Sequence, residues 1–278
     1  MAISGNFPTL ATLPKAREWA NKAVAANPKL ASAYASLAIV ACVLDWDWDL
    51  AEQLSRKAIA LDPRSIHVCC WYSSCLVCMG RLADAIMYAR TAQSLEHQPS
   101  AVVISHVGKI LYMCGTLDHA FDVLQLALQI NPNFFFTHWH LGMVLFDRGD
   151  TDVAIEHLRQ AHTLAPEFSG VIASLGNSYA LLGLHNQARS WLDSLKVLRC
   201  SQYVPAIDLA TIYAGLGDTN AAFAALEEAF TEKCMYLTWL HFLPQFKTLS
   251  RDPRFPVMLA RLGVAANTIQ AVRTPAQR

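Results

Sequence analysis

The sequence predicts an all-α fold, an α-solenoid of stacked helix-turn-helix units, and three observations predict it. Glycines recur at Gly80, Gly115, Gly149, Gly183 and Gly217, spaced 35, 34, 34 and 34 residues apart. An alanine follows each by five residues, at Ala85, Ala120, Ala154, Ala188 and Ala222. Prolines close many of the units, at Pro28, Pro63, Pro132 and Pro166. A fixed period of this length is the signature of a repeat array.

Each marker has a physical reason. Glycine supplies the left-handed cap between the two helices of a unit. Alanine, and the second small or apolar position at Ala92, Ala127, Ala161, Leu195 and Ala229, lets helix axes approach closely. Proline cannot continue a helix and pushes the preceding residue out of the helical region, so it separates units.

In order along the chain, residues 1–13 are expected to form an N-terminal extension. Residues 14–28, from Pro14 to Pro28, look like only the second helix of a unit, and a divergent unit follows over about 30–63 with one extra residue in its turn, DWDWD. There Trp46 and Trp48 are expected to pack under the turn and Asp49 to cap the next helix. Regular units are placed at about 66–99, 101–132, 135–166, 169–200 and 203–232, then capping helices over 236–263 and a flexible tail over 264–278.

Composition narrows the function. Lys plus Arg equals Asp plus Glu at 22 each, so no long-range field draws the chain to nucleic acid or an acidic membrane, and neither is an expected partner. No stretch is long and apolar enough to span a bilayer. The start, MAISGNFPTLATLPK, lacks the apolar block of a secretory signal, so a cytoplasmic chain is expected. The eight cysteines then read as reduced, small buried hydrophobes.

These units carry the tetratricopeptide pattern, and the resemblance rests on the residues quoted. The segments DWDWDLAEQ, WYSSCLVCMGR, HWHLG, YVPAIDLATIYAGLGD and LSRDPRF are together similar to the tetratricopeptide arrays of bacterial winged-helix transcriptional regulators, adenylate cyclases and signalling kinases. In those proteins a separate effector domain does the chemistry. The 278 residues hold no such segment, so the expectation is a free-standing array or a piece of a longer regulator.

The resemblance implies a right-handed solenoid whose first helices line a concave groove. It turns His67, Trp71, His106, Lys109, Tyr112, Phe136, Trp139, His140 and Phe146 towards that groove as binding residues. Chaperone-binding relatives hold a peptide carboxylate there with several cations. Here Lys109 is the only one, so that function is not expected.

An apolar, aromatic groove of this kind suits a partner segment anchored by aromatic side chains, so an interaction or scaffold module is the leading reading. The alternative is a small-molecule sensor or enzyme in the same groove, with His67, His106, His140 and Asp147 as polar or acid/base groups. The discriminating observation is whether the groove is an open trough or is closed into a chamber by the N-terminal segment or by the C-terminal helices around Trp239 and Phe242. His67, Cys70, Cys78, His106 and His140 offer metal donors without the close ligand pairs of a structural zinc site, so no metal and no cofactor are expected. The unpaired half unit at the start also admits a homodimer through that end.

Overall fold

The computed structural model describes residues 7–263. Its regular part is six helix pairs: α2 (Ala31–Val40) with α3 (Trp48–Leu61), α4 (Ile66–Cys78) with α5 (Leu82–Leu95), α6 (Ala101–Met113) with α7 (Leu117–Ile130), α8 (Phe135–Arg148) with α9 (Thr151–Leu164), α10 (Ser169–Leu181) with α11 (His185–Arg199), and α12 (Ala206–Gly215) with α13 (Thr219–Thr231). No strand occurs among the described residues. The even-numbered helices contact one another in sequence and form the inner layer, and the odd-numbered ones lie outside.

The periodic residues perform the roles their chemistry dictates. All five turn glycines have positive φ, from 73° at Gly80 to 93° at Gly149. The ten small or apolar positions following them are fully buried. Where two helices of a pair cross, even a methyl is too large: a Cβ on Gly142 would lie 2.7 Å from Leu158 Cγ. Several helices start on side-chain caps, as where Ser100 Oγ accepts from Val103 N at 3.3 Å.

Four features depart from the sequence expectation. First, α1 runs Thr9–Ala26, five residues earlier than Pro14, with Pro14 inside it. The proline deprives the Leu10 carbonyl of its helical donor, yet fully buried Leu13 beside it anchors the turn in the core. The helix buries Thr9, Leu13 and Ala20 and leaves Trp19 68% exposed.

Second, the extra residue before α3 is absorbed by a π-helical turn, Ala41–Asp45, ending on Trp46 in the left-handed region at φ 56°. Third, the cap of α3 is Asp47, whose side chain accepts from Leu50 N at 2.9 Å, not Asp49. Nor do the two tryptophans pack under their own turn. Trp46 meets Phe230 edge to face at 5.5 Å, and Trp48 reaches Leu262, so this turn touches the far end of the array.

Fourth, the segment beyond α13 does not continue the stack. It forms two 3-10 helices, Met235–Phe242 and Pro244–Arg251, before α14 (Arg254–Arg261). Leu243 precedes Pro244 and is therefore extended, which divides the two. The first 3-10 helix enters the hollow of the superhelix: Met235 and Trp239 join the core of the N-terminal units, while Leu237 and Leu240 join that of the C-terminal units. The remaining expectations, for residues 1–6 and for a tail over 264–278, lie outside the described residues.

Candidate functional site

Where the 3-10 helix crosses the concave face, it roofs a chamber of about 60 Å³. The walls are Lys109 and Tyr112 from α6, Trp139 and His140 from α8, Ser174 from α10 and Asp208 from α12, and the roof carries Tyr236 and Trp239. The 3-10 helix thus narrows the groove to a half-open cavity and leaves no continuous trough there. A pocket for a drug-sized ligand occupies roughly 300–1,000 Å³, so this one admits only a small molecule.

Hydrogen bonds fix the aromatic walls. Trp139 donates its indole N–H to Ser174 Oγ at 2.8 Å, and Ser174 in turn donates to Gly170 O at 2.9 Å. Trp239 donates to Ser74 O at 3.4 Å and is 4% exposed. Tyr112 donates to Asp147 Oδ2 at 2.9 Å.

The charged groups are less well provided for. Lys109 places its ammonium 4.7 Å from the Trp239 ring centre and forms no ion pair among the described residues. Burial pulls its pKa down to about 8, against the opposing pull of the Cys70 and Cys78 thiols. Across the chamber, Asp208 is 6% exposed, and its Oδ2 has no hydrogen-bond partner. Burial pushes its carboxyl up to about 7, although a hydrogen bond with Ser169 acts the other way.

The histidines are neutral at ordinary pH. His140 is driven down to about 3, first by burial and then by Lys109, and its Nδ1 lies 2.7 Å from Phe136 O, which it bonds by donating. His106 is likewise held well below its usual range by burial and by Lys109, and its Nε2 lies 2.9 Å from Ser73 Oγ. Such imidazoles are poor proton acceptors near neutrality.

Of the residues read from the sequence, Lys109, Tyr112, Trp139 and His140 come together on the chamber wall. His106 sits behind it. His67 is exposed at the N-terminal rim, edge-on to half-buried Trp71 at 5.9 Å. Phe136 belongs to a ring stack with His140 and Phe168, and Phe146 is half-buried against the core. His67, His106, His140 and Asp147 thus form no single acid/base constellation: His67 stays at the rim, and Asp147 is exposed and engaged by Tyr112. Among the described residues, no three His, Cys, Asp or Glu side chains could hold a metal.

Sequence reasoning places Asp208 on the groove face and weighs it beside Asp147 and Tyr112 as an acid/base partner of the histidines, without selecting it as a site residue. Its signal was available, since it is the sole carboxylate in the inner helix Ala206–Gly215. Tyr236, by contrast, lies beyond the last periodic unit and carries no register.

Comparison with known proteins agrees with this architecture. The model of the tetratricopeptide repeat matches residues 137–168. Human tetratricopeptide repeat protein 13 is 28% identical over 127 residues, which are 46% of this chain and 14% of that protein; the chain thus spans only a small part of that relative's length. Among solved structures, the human IFIT1 dimer with PPP-AAAA aligns at a TM-score of 0.62 with 20% identity, over 94% of this chain and 66% of that one. The Cut9–Hcn1 hetero-tetramer of the APC/C aligns at 0.61 with 18% identity, over 90% and 46%. Pseudomonas aeruginosa pilF aligns at 0.52 with 16% identity, over 88% and 97%. At these identities the structures show the fold alone, and its agreement with the repeat model and the period of the sequence makes one conclusion: the chain is an all-α solenoid of tetratricopeptide type, with a tetratricopeptide repeat at residues 137–168.

Proposed function

We propose that this array is a small-ligand-binding module, holding its ligand inside the superhelix and offering outside the interaction and scaffold surface that a tetratricopeptide fold suggests. The observation that carries the reading is the roof. Segment 235–242 occupies the place where an open groove would receive a partner peptide, and what it leaves is a small chamber with Lys109 in no ion pair and Asp208 Oδ2 without a hydrogen-bond partner on its wall. Buried charges without partners cost free energy unless something compensates them, and a ligand is the compensation a chamber can supply. A polyphosphate such as the PPP-AAAA of the IFIT1 structure would need several cations, and Lys109 is the only Lys or Arg on the wall.

The test is a thermal-shift screen of small metabolites on the protein and on Lys109→Met. Hits that raise Tm and are lost in the variant support the chamber. Hits indifferent to Lys109, or aromatic peptides that bind and are lost in Trp71→Ala, would transfer the function to the open rim around His67 and Trp71.

Trp19 stands 68% exposed on α1, and we infer that a second copy of the chain covers it. Light scattering checks this. A Trp19-dependent dimer supports it, and a strictly monomeric protein rejects it.

A further inference from the structure

Two groups in the chamber point to the kind of ligand it takes. Lys109 brings a cationic side chain into a wall built mostly of aromatic, aliphatic and small polar side chains, and makes no ion pair there. Asp208 brings a carboxylate to the same wall from three units further on, with Oδ2 buried and unpartnered. Both line one space, yet they do not pair with each other. A built-in ion pair would have been the ordinary solution for two opposite charges in one apolar cavity, so their separation leaves a gap with one positive and one negative end.

Resting on the chamber reading above, we propose that the ligand is a small zwitterion, an amino acid or betaine, whose carboxylate faces Lys109 and whose cationic nitrogen faces Asp208. The charge balance selects it. A simple carboxylate neutralises Lys109 but is brought close to Asp208 in a medium that screens poorly. A simple amine has the converse fault. A neutral molecule leaves both ends as they were. A zwitterion compensates each wall group and adds no net charge. The Trp239 ring already faces the Lys109 ammonium at 4.7 Å, which leaves Tyr236 as an aromatic lining residue for a cationic nitrogen. The volume of about 60 Å³ limits the ligand to a few heavy atoms between its two charges.

The experiment is titration calorimetry and thermal shift on the full chain with matched probes: glycine, β-alanine, 4-aminobutanoate and glycine betaine; propanoate and butanoate; propylamine and butylamine; and butanamide. At least one zwitterion should raise Tm and bind about tenfold or more tightly than the acid and amine of similar length, since each of these leaves one buried charge unpaired. Lys109→Gln should move the preference towards the amines, and Asp208→Asn towards the carboxylates. The wild-type comparison stands even if a variant fails to fold.

If an acid, an amine or the amide binds as tightly as every zwitterion and loses affinity in Lys109→Gln or Asp208→Asn, the zwitterion is wrong while the chamber still binds ligand. If no probe binds and the metabolite screen also gives no Lys109-dependent hit, both readings fall.

Discussion

Trp48, in the turn of the first full unit, donates its indole N–H to the backbone carbonyl of Leu262, 214 residues further on, at 2.8 Å. Beside it, Trp46 holds the Phe230 ring at 5.5 Å and receives the Lys233 ammonium 3.3 Å from its own ring centre. The two ends of the array are thereby clasped. Trp48→Phe keeps an aromatic ring and removes the hydrogen bond, so it should cost about 1 kcal/mol. The measurement is the urea midpoint, and an unchanged midpoint would mean that the clasp contributes nothing to stability.

Gly142 and Gly149 separate two reasons for conserving backbone space within one unit. Gly142→Ala drives a methyl to 2.7 Å from Leu158 Cγ and 3.0 Å from the Ala154 carbonyl oxygen, and overpacking of this kind should cost about 1–3 kcal/mol. Gly149→Ala meets no neighbouring atom, and only its φ of 93° is strained, so about 1 kcal/mol is expected. Denaturant unfolding of both variants tests the ordering.

Trp239 joins the roof to the N-terminal core. Trp239→Ala should destabilise by about 3–5 kcal/mol, as large-to-small changes of buried aromatics do. The same variant should bind a hydrophobic dye that the parent excludes, since the chamber loses its cover. Absence of dye binding in a folded Trp239→Ala protein would show that the roof is held by its other contacts.

Acid should weaken the fold, with a sign that follows from burial. His106, His140 and His241 are held below their usual range, to about 3 for His140 and about 4 for His241. Below about pH 6.5 the unfolded chain takes up protons that these folded imidazoles refuse, so stability falls by up to about 1.4 kcal/mol per pH unit for each. Asp208 works in the opposite sense: pushed up to about 7, it keeps a proton in the folded chain that the unfolded chain releases, so it adds stability as pH falls through 7. His67, His157 and His162 are also lowered and act with these imidazoles, while Asp147 and Glu232 are also raised and act with Asp208, so six imidazoles against three carboxyls leave a net loss. Urea midpoints at pH 7.5, 6.5 and 5 should decline, and less steeply in His140→Asn.

The array was legible because contacts between units are local and repeated: a glycine or an alanine states its role five times over, and a proline four. The clasp and the roof were not. Trp48 to Leu262 and Trp239 to Ser74 join residues 214 and 165 apart, each contact occurs once, and neither has a period. The same difference divides the site. Register placed Lys109, Tyr112, Trp139 and His140 on the inner face, whereas their enclosure depends on Tyr236 and Trp239, which no register governs. It also set His67 and Trp71 level with them, although the roof leaves these two at the rim.

The clasp has a further consequence for the molecule's length. An ordinary solenoid is open-ended: units can be gained or lost because each touches only its neighbours, and it can melt from either end. Here the first turn is fastened to the last helix, as a belt is to its buckle. Insertion or loss of one unit would draw Trp48 away from Leu262 and carry the roof off its walls. The number of units between Trp48 and Leu262 is a fixed dimension, and their unfolding should be a single event.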